Sequence, residues 1–204
     1  QVQTEEVKSA GRKVASLEEF LHIAREDFHE AYRIFTERHF SLILSDQSEK
    51  IRSLYAGMSQ QPVTYQHLEE FLIAAGAKEK VTLSLNREEA SFYDVSESVQ
   101  ESLYIHRSGW GHLRADIEVN GDFLEAGKHV VTEEDFIGST CEINYVIRQE
   151  KLGKGNQYGE IIVKTPYQKL IYHVLASRGT ESAVNLDLLE KQYRISLMQE
   201  YLGY

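Results

Sequence analysis

Apolar residues along this chain change their period twice, and the changes divide it into three stretches. Up to residue 78 they recur every three to four positions. Behind the capping box Ser16-x-x-Glu19, the residues Phe20, Ala24, Phe28, Ala31 and Phe35 form one stripe and predict one long first helix. Phe40, Ile43 and Leu44, and after a new start at Ser45-Asp46 the residues Ile51, Leu54, Tyr55 and Met58, predict two short helices. Pro62 breaks the chain, and Thr64 is a good N-cap for a helix with Leu68, Phe71, Leu72 and Ala75 on its face. Gly76 ends that helix.

From residue 79 the period drops to two. Val81, Leu83 and Leu85 alternate, then Leu103 and Ile105 before the turn Gly109-Trp110-Gly111, then Leu113, Ala115, Ile117 and Val119. Asn120-Gly121 tolerates φ > 0 at both positions, which predicts a type I′ hairpin returning through Asp122-Phe123-Leu124. Cys141, Ile143, Tyr145 and Ile147 read as an inward face, with Val146 outward. Ile161 and Val163, a turn at Pro166-Tyr167, and Leu170, Tyr172 and Val174 complete the series. Asn86 to Glu101 is polar and placed only as far as a short strand at Phe92-Tyr93. About seven strands with regular turn signals predict an α+β chain. Its expected parts are a helical bundle over 1–78, an immunoglobulin-like antiparallel β-sandwich over 79–178 and a C-terminal helix over 179–204. In that last part Leu186, Leu189, Tyr193, Leu197 and Tyr201 share a stripe and need a cover from a protein partner or from downstream helices.

Composition narrows the partners. The 204 residues carry a formal net charge of −10, which argues against duplex nucleic acid, whose phosphates call for basic patches. No run reaches the roughly 18 apolar residues that a membrane span needs. The first ten residues lack an apolar leader core, and the single Cys141 permits no internal disulfide, so a reducing, cytoplasmic setting is expected. The start at Gln1 suggests a processed chain or a piece of a longer one.

Candidate chemistry is sparse. Glu26-x-x-His29 has the spacing of a di-iron helix, with His22 one turn earlier, but a second such pair is missing and a solvated helix face is favoured. His106 and His112 flank the Trp110 turn and would face each other across a hairpin beside Arg107 and Arg114, without a third ligand. Gly153-x-Gly155 with Gly159 precedes a strand rather than a helix, so it reads as a hairpin and not a phosphate loop. Cys141 sits at an inward position, where a thiol is a small apolar side chain. There is no Gly-x-Ser-x-Gly elbow. Trp110 and a few tyrosines are the aromatic faces left for a sugar or another ligand.

Asp27-Phe28, Glu30-Ala31-Tyr32, Phe35, Leu68-Glu69-Glu70-Phe71-Leu72 with Ala75-Gly76, and Gly155-Asn156, Gly159, Ile161, Val163, Thr165 and Gln168 carry a resemblance. Together they resemble the N-terminal region of an uncharacterised family of very large proteins from clostridia and other gut bacteria. The resemblance implies a helical and immunoglobulin-like region followed by a long helical array, and it transfers no catalytic residue. The expectation is a non-catalytic interaction or scaffold module without a cofactor, with Trp110, Leu186, Leu189, Leu197 and Tyr201 as its contact residues. A carbohydrate- or ligand-binding sandwich is the alternative, and a metal-dependent enzyme using Glu26 and His29 is a second.

Overall fold

The computed structural model describes residues 13–179 together with residues 194, 195 and 198. Four α-helices come first: α1 (Leu17–Glu26), α2 (Phe28–Phe35), α3 (Glu49–Met58) and α4 (Tyr65–Ala74), with a 3-10 helix, Arg38–Leu44, between α2 and α3. The single long helix expected over Phe20 to Phe35 is in fact two. Asp27 adopts an extended backbone (φ −146°, ψ 93°), ends α1, and accepts a hydrogen bond from the Glu30 N–H to cap α2. A carboxylate that satisfies an orphan N–H outcompetes continuation of the helix at that point. The first of the two short helices is the 3-10 turn, and α3 starts from Ser48 rather than Ser45-Asp46. Thr64 caps α4 as expected, and Gly76 takes φ +74° just beyond it. The rings of Phe20, Phe35, Phe40 and Phe71 fill the helical core, with Phe20 and Phe40 centred 4.6 Å apart in an edge-on pair.

Nine strands follow among the described residues: β1 (Thr82–Leu85), β2 (Glu89–Val95), β3 (Val99–Ser108), β4 (Arg114–Asn120), β5 (Leu124–Ala126), β6 (Val130–Thr132), β7 (Thr140–Ile147), β8 (Asn156–Lys164) and β9 (Lys169–Arg178). They form a four-stranded sheet in the order β1-β3-β7-β5 and a five-stranded sheet in the order β2-β9-β8-β4-β6. The chain is therefore α+β, with two sheets facing each other across a shared core. Ile143, Tyr145 and Ile147 of one sheet meet Ile161, Tyr172 and Val174 of the other, and all are at most 1% exposed.

Two expectations about this region are corrected. Asn120-Gly121 is not a hairpin turn. Gly121, at φ +117°, instead carries the chain from β4 in the five-stranded sheet to β5, which pairs with β7 in the other. Phe123 and Leu124 are thereby buried in the shared core. A local hairpin would have kept both strands in one sheet; closing the core between sheets wins because it withdraws those two side chains from water. The sandwich is also not wholly antiparallel, because β2 runs parallel to β9. The chain leaves β1, crosses to an edge of the other sheet as β2 and returns as β3, so the crossing, not a tight turn, sets the direction of β2. The C-terminal stripe Leu186, Leu189, Leu197 and Tyr201 lies outside the described residues.

Candidate functional site

The helical layer meets one end of the two-sheet body, at the loop between β3 and β4, the turn between β8 and β9 and the 3-10 helix Glu133–Asp135. At the centre of that junction sit Glu69 and Lys78, whose side chains are each 1% exposed. Glu69 rides on α4 beside Leu68, Phe71 and Leu72, and Lys78 belongs to the linker into β1. The Lys78 ammonium donates to Glu69 Oε1 and to the Trp110 carbonyl. It also lies 5.0 Å from the centre of the Trp110 ring. Glu69 Oε2 accepts the backbone N–H of His112 at 3.3 Å. Burial pushes the Glu69 carboxyl up and the Lys78 amine down, and each partner's charge pulls the other back toward its ionised form. Gly111 makes this approach feasible, since at φ +103° it brings bare backbone against both charged groups.

Around the ion pair lies a wider shell. The His112 ring stacks on Tyr65 and Phe28 of the helical layer, with centres 5.5 and 6.3 Å away. Its Nδ1 is 3.7 Å from Glu133 Oε2, the oxygen that accepts the Leu113 N–H at 3.1 Å. Burial alone would raise Glu133, but the facing imidazole and two backbone N–H groups outweigh it and hold the carboxyl at about 2. Gln66 Nε2 donates to the Tyr167 hydroxyl at 2.9 Å, and His29 Nδ1 lies 3.0 Å from the Tyr65 hydroxyl.

The residues singled out in the sequence fall out as follows. Trp110 is half-buried against the helical core, under the Lys78 ammonium. Glu26 and His29 do not share a helix, because the Asp27 break lies between them. Glu26 pairs with His22 at 3.2 Å, and His29 turns to Tyr65 and to Glu134 at 3.9 Å. His106 and His112 do not face each other across a hairpin either: β3 and β4 belong to different sheets, and His106 lies in register with Ser84 and Thr140. Among the described residues no group of three or more His, Cys, Asp or Glu side chains is placed to hold a metal ion. Cys141 is buried, and burial pushes its thiol up, away from the reactive thiolate.

Sequence reasoning passed over two features. One is the Glu69–Lys78 pair; Glu69 flanks the apolar arc of α4 next to Glu70, and nothing in the spacing marks it as the buried one of the two. The other is an open cleft of about 570 Å³ on the outer face of the five-stranded sheet. Glu89, His173 and Glu160 form a row across β2, β9 and β8 there, beside Leu175 and Tyr158, a residue 76% exposed. Asn120 Nδ2 donates to Glu160 Oε2 at 3.4 Å, and His173 Nδ1 lies 4.0 Å from Glu160 Oε1. Outward strand positions carry no local mark of concavity.

A sequence profile described as "Family of unknown function (DUF5717) N-terminal" matches residues 1–204. The chain belongs to this family. No match to this DUF5717 N-terminal chain is found among curated proteins. Among solved structures it is similar to WR4, a C. elegans MSP family member, at 7% identity and a TM-score of 0.34, covering 47% of this chain and 96% of that one. It is similar to a FixG-related protein from Vibrio parahaemolyticus at 9% identity and a TM-score of 0.35, covering 50% and 99%. The VesB protease of Vibrio cholerae gives 8% and 0.30, covering 47% and 31%. Likeness at this level assigns no activity to the DUF5717 N-terminal chain.

Proposed function

We propose that this chain is a non-catalytic interaction or scaffold module, presenting a helical layer and an immunoglobulin-like sandwich as one rigid piece of a larger bacterial protein. The observation that carries the reading is the Glu69–Lys78 junction. Its charged side chains are spent on joining α4 to the β3–β4 loop, inside the protein, each 1% exposed. Another buried polar contact among the described residues, the Tyr145–Tyr172 hydroxyl pair at 2.8 Å, ties one sheet to the other. Two facing sheets with alternating inward residues support the immunoglobulin-like description, and the family's N-terminal label supports a place at the head of a longer protein. Downstream helices of that protein, or a protein partner, are the proposed contacts, in a clostridial or related gut bacterium as the resemblance implies.

The test is to express the parent protein with and without residues 1–204 in its own host, cross-link, and compare assemblies by size and composition. A defined complex that disappears with the deletion supports the module. An unchanged assembly, or a catalytic turnover traced to residues 1–204, overturns it. The cleft around Tyr158 favours one second reading, a carbohydrate- or ligand-binding module, now centred on Tyr158 rather than Trp110. A glycan array with Tyr158→Ala as control decides it.

A further inference from the structure

Apolar packing between two layers is non-directional, and side chains of similar shape tolerate sliding. The Glu69–Lys78 contact does not. Lys78 needs both Glu69 Oε1 and the Trp110 carbonyl, and Glu69 Oε2 needs the His112 N–H. These partners come from three separate segments: α4, the linker into β1 and the loop after β3. Moving α4 along the sheets would leave a carboxylate and an ammonium unpaired in a site closed to water, which is far worse than losing a few apolar contacts. Other contacts across the junction are less demanding of position: the stacked rings of Phe28, Tyr65 and His112, the Gln66–Tyr167 hydrogen bond, and the exposed His29–Glu134 approach at 3.9 Å. Glu69 and Lys78 are also the charged residues buried among the described ones. Ion pairs in such places contribute little net stability compared with apolar groups of the same volume, because both charges must first be desolvated.

We infer that the Glu69–Lys78 pair is an orientation lock, which sets the angle of the helical layer on the two sheets while adding little net stability. The inference goes beyond the scaffold reading and holds whether or not a partner binds. It is tested on the whole chain with spin labels at two exposed positions, Ser59→Cys after α3 and Ser96→Cys between β2 and β3, because the buried Cys141 is not labelled. The unaltered junction should give one narrow distance distribution. Lys78→Met alone should lower Tm by about 10 °C, since it strands the Glu69 carboxyl. The double variant Glu69→Met with Lys78→Met should recover that Tm or exceed it and yet show a broadened or displaced distribution. A double variant with the original narrow distribution overturns the lock. So does one whose Tm stays as low as that of Lys78→Met, because the pair would then be a net source of stability. Neither result touches the assembly experiment on the parent protein.

Discussion

At Gly111 the backbone sits at φ +103°, and a methyl group there would collide with the Lys78 ammonium and a Glu69 oxygen. Gly111→Ala thus combines a left-handed backbone penalty with displacement of the ion pair, and should cost about 1–3 kcal/mol in urea unfolding. Trp110 is the single tryptophan of the chain, so its emission should shift in the same variant. Glu133 supplies a pH signature. Its carboxyl is held at about 2 in the folded chain against an ordinary 4.5. A depressed carboxylate stabilises fully above the unfolded value, and the contribution is lost as pH falls from about 4.5 through about 2. Glu133→Gln should therefore be less stable than the parent at pH 7, by about 3 kcal/mol at most, and the gap should close by pH 2. A gap that is the same at both pH values would mean that the carboxylate's charge does not matter. Of these residues, the Gly109-Trp110-Gly111 turn was legible in sequence, whereas the Glu69–Lys78 pairing and the role of Glu133 were not, because the partner of a buried charge is chosen by the fold and not by spacing.

Among the elements, the strands were easier to read than their partners. Ile143 on β7 is fully buried, and Val146 on the opposite face is half-buried. Ile143→Ala should cost about 2–5 kcal/mol and Val146→Ala less than about 1.5 kcal/mol, measured by denaturant unfolding. A larger loss at Val146 would place a cover over that face. The exposed sheet edges are guarded in different ways. On β1, the Gln168 carboxamide accepts the Leu83 N–H at 2.7 Å and donates to the Leu83 carbonyl at 3.2 Å, standing in for a further strand. On β2, the register shifts between Phe92 and Val95, where Asp94 takes φ +54°. β5 and β6 are three residues each. Short, bulged or capped edges resist strand addition by another chain. Gln168 was noticed in the sequence only as part of a resemblance; its reach to a residue 85 positions away has no local trace.

For the whole molecule, the question is whether the helical core and the two-sheet core melt together. Their shared junction places Trp110 against the helices while its carbonyl serves Lys78. Loss of helix followed in the far ultraviolet and Trp110 emission should then trace one coincident transition in the parent chain. In Lys78→Met the two signals should separate, with the helical signal lost first. Separate transitions already in the parent would mean that the two cores unfold independently despite the ion pair. Among the described residues no helix is long and apolar enough to cross a membrane, as the hydrophobic pattern predicted.

The sequence by itself determined the α+β class, the start of the helices at Ser16 and Thr64, and which residues of β7, β8 and β9 face inward. Each of these follows from short-range causes: a side-chain oxygen satisfying an orphan N–H, or alternation of side chains about a pleated backbone. The break at Asp27 has a cause of the same short range, since its carboxylate accepts the Glu30 N–H, although the apolar stripe continues through Phe28. Tertiary structure alone decided that Asn120-Gly121 leads into the other sheet, that β2 runs parallel to β9, and that Glu69 finds Lys78 and the backbone of the β3–β4 loop. Local sterics permit both outcomes at each of those places, and the choice falls to whichever one buries more apolar surface without leaving a polar group unpaired.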